Sequence, residues 1–294
     1  MTEFESNFEK AEQFFNEKKY LHAIQIYQSL LDLPHLKRKA VIKLIEIFGI
    51  QNQFDSAVKV FKRYLSEEEN DEDMLTFYAQ FLIKNERYLE AHDVLSSISN
   101  DKRPERNFLM GIVNYYLEDY QIAVINFAEF IKRNKKSELL PQAHLFLSKC
   151  YLKKNEISLA LEHAKESEKI YNQDYEVYST LAIIFYEKEM YYHALDNIQK
   201  SIKLNPGDIN SLLWSGRILL KMGEPEQAKK ILEYSVDISN ENIETLNMLG
   251  MISLEASDYN SAEEYFNKVV KLDPENQEAK DCITICKSLQ NKEM

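Results

Sequence analysis

The chain has 294 residues, of which 45% are hydrophobic and 12% aromatic, a share too high for a disordered protein. Its net charge of −12, from 48 acidic and 36 basic residues, argues against a general binder of nucleic acid or anionic membranes, which needs a basic face. The six glycines and six prolines are few for this length and favour long helices over a turn-rich β fold.

The amino terminus and the cysteines indicate the compartment. The first residues, MTEFESNFEK, contain no basic segment followed by an apolar run, and no apolar stretch approaches the ~18 residues of a membrane helix. Three cysteines are too few for a disulfide framework. Unless a leader was removed, we expect a soluble, cytoplasmic chain without membrane insertion.

An alanine recurs along the whole chain, at spacings of 34, 34, 32, 37, 34, 34 and 34 residues. Twelve residues before it stands a small residue, with Ile45 the one departure, and three residues before it an aromatic residue in six cases. Small side chains are needed where two helices cross closely, because a bulky one would overpack the crossing. The anchor alanines are Ala23, Ala57, Ala91, Ala123, Ala160, Ala194, Ala228 and Ala262.

This period, built from two amphipathic helices, resembles the tetratricopeptide repeat family. The resemblance implies an all-α fold, a right-handed superhelical solenoid of antiparallel helix pairs, in which the aromatic residue starts each second helix. We expect one domain and a capping helix over 277–290, because a stack of repeats must cover its last open edge. The predicted units are 4–37, 38–71, 72–103, 104–140, 141–174, 175–208, 209–242 and 243–276.

Prolines and the irregular spacings agree with these boundaries. Pro104 and Pro141 fall on the first residue of a unit, where a helix tolerates proline, and Pro225 falls in a turn. The short step removes residues from Ser99–Arg103, and the long step adds them at Lys135–Leu140. Both segments are predicted loops.

No catalytic constellation is present in the sequence, so we expect no enzyme, no metal and no cofactor. There is no glycine-rich phosphate loop, no HExxH and no Gly-x-Ser-x-Gly. The six histidines fall in unrelated positions of the repeat, apart from His22 and His193, which share one. Cys282 and Cys286 lack further ligands for zinc, which needs about four, and are interpreted as small core residues.

In the resembling family, the positions 18, 15, 11, 8 and 7 residues before the anchor alanine face a concave groove. Carried over to this chain, they predict an apolar and aromatic floor with interleaved cations. Such a floor suits an extended or helical peptide with hydrophobic anchors and acidic residues. The alternative, that several of these residues are core, stays open. The predicted binding residues are Phe108, Ile112, Tyr115, Tyr116, Lys149, Lys153, Ile183, Tyr186, Leu213 and Arg217.

The resemblance also excludes one partner. Repeats that hold the acidic terminus of heat-shock chaperones pair Lys with Asn at the fifteen- and eleven-before positions, and no unit here does so. We therefore predict no chaperone clamp.

Three hypotheses on function follow. The leading one is a scaffold or adaptor that binds a partner protein in the groove, within a larger assembly. The alternatives are a repeat-type regulator that senses a small peptide or RNA segment, and a non-catalytic subunit of an enzyme complex. Self-association through the edges of the stack is compatible with each, and an exposed Ile283 on the last helix would indicate it.

Overall fold

The computed structural model describes residues 3–68, 71–99, 105–239 and 241–293, and these form seventeen α-helices without a β-strand. The predicted all-α fold is confirmed. The chain divides into two compact units, Met1–Asn134 and Lys135–Met294, so the boundary falls at the predicted insertion. The predicted helix start at Pro104 and most of the shortened step lie outside the described residues.

The first unit contains four consecutive helix pairs. Each pair has a first helix and a second helix that packs back against it. The first helices are α1 (Glu3–Asn16), α3 (Pro34–Ile50), α5 (Glu72–Lys84) and α7 (Glu105–Tyr116). The second helices are α2 (Tyr20–Ser29), α4 (Phe54–Glu67), α6 (Tyr88–Ser96) and α8 (Tyr120–Arg133).

The second unit contains four further pairs and a terminal helix. Its first helices are α9 (Leu140–Lys153), α11 (Tyr175–Glu187), α13 (Ile209–Lys221) and α15 (Ile243–Glu255). Its second helices are α10 (Ile157–Ile170), α12 (Tyr191–Leu204), α14 (Pro225–Ile238) and α16 (Tyr259–Leu272). The terminal helix α17 (Gln277–Glu293) packs on α16 and runs past the predicted end of the cap.

The helices of each pair cross at the anchor alanine. All eight anchors are fully buried. At the crossing of α9 and α10 the hydroxyl of Ser148 donates to the carbonyl oxygen of Ala160 at 2.7 Å. At the crossing of α15 and α16 a Cβ added to Gly250 would lie 2.7 Å from the ring of Phe266. Small residues therefore set the distance between the helices, because a larger one there has no space.

A left-handed residue ends the first helix of every pair. It lies five residues before the anchor alanine. The residue after it closes the turn with a backbone hydrogen bond, as from the N–H of Met190, which follows Glu189, to the carbonyl oxygen of Phe185. Seven of the eight are not glycine, although glycine adopts this conformation most easily. They are Lys18, Asn52, Glu86, Glu118, Asn155, Glu189, Gly223 and Ser257, with φ between 56° and 78°.

The helix starts show where the sequence placed boundaries well and where it did not. Every predicted aromatic start opens its second helix, from Tyr20 to Tyr259. Helix α3 begins at Pro34 rather than at 38, because α2 ends early at Ser29 and proline suits a first helical position. Pro225 is likewise the first residue of α14 rather than part of a turn.

Replacing Ala194 by Leu should lower the free energy of unfolding by about 1–3 kcal/mol, because the added carbons overpack the buried crossing of α11 and α12. Chemical denaturation followed by circular dichroism measures the change. Gln199→Leu puts the same side chain on the exposed face of α12 and should leave stability within about 0.5 kcal/mol. Equal effects of the two substitutions would contradict the assigned crossing.

Replacing Glu189 by Gly should raise the free energy of unfolding by about 0.5 kcal/mol. Its φ of 57° strains a side chain by about 1–2 kcal/mol, and removing that strain outweighs the extra freedom of glycine in the unfolded chain. Gly223→Ala, at the same position of the next pair with φ 78°, should lower stability by about 1 kcal/mol. Gln199→Gly, inside α12, should also be destabilising, so stabilisation specific to Glu189 is the decisive result.

Candidate partner-binding surface

The first helices lie side by side within each unit. In the first unit α5 contacts both α3 and α7, and in the second unit α11 contacts both α9 and α13. In a solenoid of helix pairs, the row of helices in direct contact faces the inner side of the curve. All ten predicted binding residues lie on these first helices. Four belong to α7 in the first unit and six to α9, α11 and α13 in the second, so each unit has its own part of the predicted surface.

Two of the ten predicted residues belong to the core instead. Phe108 is only 5% exposed, and its ring centroid lies 6.0 Å from that of Phe127 and 5.3 Å from that of Phe130. Leu213 is buried in a cluster with Leu232 and Leu249. The interpretation of these two as partner-binding residues is wrong, because Phe108 packs against the second helix of its own pair and Leu213 packs against both α14 and α15.

Tyrosines form a cluster on the inner surface of the first unit. Tyr116 stacks on Tyr88 with ring centroids 4.6 Å apart, and the ring of Tyr115 meets Tyr116 edge-on at 5.3 Å and Tyr120 at 5.8 Å. Tyr116 remains 47% exposed, and Ile112, one turn earlier on α7, is half-buried. The cluster thus presents fixed aromatic edges and faces to solvent.

The second unit has an aromatic group of its own, centred on Trp214, which the sequence reading did not include. Trp214 lies 5.4 Å from Tyr186 in an edge-to-face arrangement, and the guanidinium carbon of Arg217 lies 4.5 Å from the centroid of its ring. Ile183, on α11 with Tyr186, is half-buried. Trp214 is the single tryptophan of the chain, and this was the sequence feature that could have indicated the aromatic group.

Two of the three predicted cations are already paired within the unit. The ammonium of Lys149 on α9 lies 2.5 Å from a carboxylate oxygen of Glu176, in the first turn of α11. Arg217 on α13 pairs in the same way with Glu244, in the first turn of α15. Lys153 is exposed and has no ion pair with any residue that the structure describes. Only Lys153 is therefore free to meet an acidic group without breaking an existing pair.

The inner surface of the first unit also contains a cavity that the sequence reading missed. It has a volume of about 470 Å³ and lies among α1, α3 and α5. Its apolar walls include Phe15, Gly49 and Phe81. The sequence feature that could have indicated this cavity is Gly49, because every other repeat has a large aliphatic or aromatic residue at that position.

The structure brings together two histidines that the sequence reading kept apart. The Nδ1 atoms of His144 on α9 and His163 on α10 lie 3.0 Å apart, and the ring of Tyr151 stacks on His163. Burial lowers the pKa of both imidazoles, and for His144 the neighbouring His163 lowers it further, while Glu162 and Glu166 oppose this weakly. One Nδ1 must donate and the other accept, so the contact requires that at least the accepting ring be neutral and is lost when both rings are protonated.

The other candidate groups for chemistry lie in the core. Cys150 and Cys286 are buried and Cys282 is half-buried; burial raises the pKa of the Cys150 thiol to about 12, so it is a poor nucleophile. Across the described ranges no three or more His, Cys, Asp or Glu side chains are grouped to hold a metal ion. Within the same ranges no helix combines the length and apolarity that a membrane crossing needs.

Two family descriptions match parts of the chain. Residues 50–130 match "Anaphase-promoting complex, cyclosome, subunit 3". Residues 209–242 and 243–276 each match "Tetratricopeptide repeat", and these are the bounds predicted for the seventh and eighth units.

Individual proteins match over longer segments. The BBSome complex member BBS4 of Bos taurus is 28% identical over 120 residues, which cover 41% of this chain and 23% of BBS4. The TPR repeat-containing protein MJ1428 of Methanocaldococcus jannaschii is 28% identical over 186 residues, 56% of this chain and 32% of that protein. The chain thus spans less than a third of the length of these relatives.

Among solved structures, the APC/C hetero-tetramer Cut9–Hcn1 contains a chain that matches 94% of this one with a TM-score of 0.68 and 12% identity, over 54% of its own length. At this identity the likeness shows the fold alone.

The paired histidines predict a pH-dependent stability. Because their pKa values are lowered in the folded chain, the unfolded chain binds protons first as pH falls. Stability should therefore be complete above the ordinary histidine pKa of about 6.5 and decrease as pH falls from there towards the lowered folded values. Thermal melts between pH 8 and 5 measure this, and the double variant His144→Gln, His163→Phe should flatten the curve. His35→Gln, at an exposed histidine, is the control, and a flat wild-type curve would contradict the assignment.

Proposed function

Because the chain is a tetratricopeptide repeat protein with the all-α, superhelical fold of that class, we propose that it is a non-catalytic adaptor for protein assembly. In this proposal, a peptide or helix of a partner protein binds along the first helices. Names of related proteins support it: BBS4 is described as a member of the BBSome complex, and the Cut9–Hcn1 structure as an APC/C hetero-tetramer.

The observation that carries the proposal is that each unit has incompletely buried aromatic side chains on its own first helices. Tyr116 in the first unit, and Tyr186 and Trp214 in the second, are fixed by neighbouring rings yet remain partly accessible. Rigid tyrosine, tryptophan and arginine side chains contribute most to binding in protein interfaces, because they bury much area and lose little freedom. These residues are therefore the proposed anchors for a partner.

The charged residues of the second unit limit the kinds of contact that a partner can make there. Lys149 and Arg217 are occupied by Glu176 and Glu244, so apolar contact supplies most of the affinity. Of the three predicted cations, Lys153 on α9 is the one that can pair directly with an acidic residue of the partner, because it has no ion pair within the described residues. The net charge of −12 opposes a nucleic acid as this partner.

Changing Tyr116 and Lys153 to alanine should reduce recovery of the main partner from the native cell by at least about fivefold, the loss expected for truncating one interface anchor. Each variant is tested alone and with the other, by affinity purification and quantitative mass spectrometry. Both side chains are exposed, so the melting temperature should stay near that of the wild type.

The matched control changes the same residue types on second helices. Tyr192 on α12 is 81% exposed, and Lys230 on α14 is also exposed. Tyr192→Ala with Lys230→Ala should leave partner recovery unchanged. A partner lost with this control pair, and retained without Tyr116 and Lys153, would assign binding to the second helices and overturn the proposed surface.

A further inference from the structure

The cavity of the first unit is large enough for a side chain from another molecule. Its volume of about 470 Å³ lies in the range of natural ligand pockets, and a cavity of roughly 150 Å³ already accommodates benzene. Phe15 of α1, Gly49 and Ile50 of α3, and Phe77 and Phe81 of α5 form its apolar walls. It is thus bounded by three consecutive first helices of one unit.

The cavity lies beside the one repeat position that carries no side chain where the other repeats have a large one. Position 49 is the eight-before position of the second repeat, which holds glycine only here. A Cβ at Gly49 would lie 2.6 Å from Cε2 of Phe81, so the ring of Phe81 packs directly against the glycine, and both residues line the cavity. In the other repeats this position carries a large side chain; the residues are Phe15, Ile83, Tyr115, Leu152, Tyr186, Leu220 and Leu254.

The rim of the cavity carries an uncompensated positive charge. Lys84, at the end of α5, is exposed and makes no ion pair within the described part of the chain. The one lining carboxylate, that of Glu46, is 3.1 Å from the ammonium of Lys43. Gln80 is exposed beside Lys84 and can donate or accept a hydrogen bond with a peptide backbone.

We infer that this cavity takes one large apolar side chain, such as Phe, Leu, Met or Trp, from a partner peptide in which the adjacent residue is acidic and meets Lys84. The inference rests on the proposed adaptor function and adds the chemistry of one recognition site. The apolar walls select the large side chain, and the unpaired ammonium selects the carboxylate next to it.

Selection from a random 12-residue peptide library displayed on phage, with the purified full chain as target, tests the inference. The selected peptides should share a large apolar residue next to Asp or Glu. Their affinity, measured by fluorescence anisotropy, should fall at least tenfold for Ile50→Asp, which places a charge at a wall residue that is 55% exposed. Leu21→Asp, at a 72% exposed leucine on α2, is the matched control and should bind as the wild type does.

Two further variants test the shape and the charge separately. Gly49→Leu supplies the kind of side chain that the other repeats carry and should abolish binding; Ile50→Asp remains decisive if this variant folds poorly, as judged by circular dichroism. Lys84→Glu should select peptides with Lys or Arg in place of the acidic residue. Selected peptides that lack the apolar–acidic pair, or that bind equally to Ile50→Asp, overturn the inference. Loss of the native partner with Tyr116→Ala would then still support the adaptor function.

Discussion

The close crossing of two helices at a buried alanine is the constraint on which the rest of the structure depends. With no side chain larger than a methyl group at Ala160, the hydroxyl of Ser148 reaches a backbone carbonyl of the facing helix. The same approach brings Phe266 onto Gly250. Because the two helices of a pair lie this close, their remaining apolar faces must be covered by the next pair, and stacking of repeats follows.

Much of this architecture could be read from residue types, because the crossing admits only small side chains and the aromatic positions open the second helices. The left-handed turn could not, since residues such as Glu189 and Lys18 occupy a conformation that favours glycine. There the closing backbone hydrogen bonds and the packing of both helices override the local preference. A backbone conformation that recurs in every repeat cannot be recognised from the sequence when several different residue types adopt it.

The candidate binding surface could be predicted only in part, for a different reason. Its helices and positions follow from the repeat, but accessibility depends on neighbours that one sequence position does not specify. Phe108 fills the space between α7 and α8, whereas Tyr116 on the same helix stays exposed. The cavity beside Gly49 depends on how the ring of Phe81, in the following repeat, settles over it. The accessibility of a side chain and the presence of a cavity therefore depend on packing between neighbouring helices and repeats.

The pairs Lys149–Glu176 and Arg217–Glu244 have a consequence for any acidic ligand on the second unit. A carboxylate that approaches either cation must replace one that is already in contact with it, so binding there is an exchange of like for like. An exchange yields little net free energy and releases a glutamate that had joined one repeat to the next. At these two cations, competing anions therefore gain little, and only a ligand with favourable contacts elsewhere would displace either glutamate.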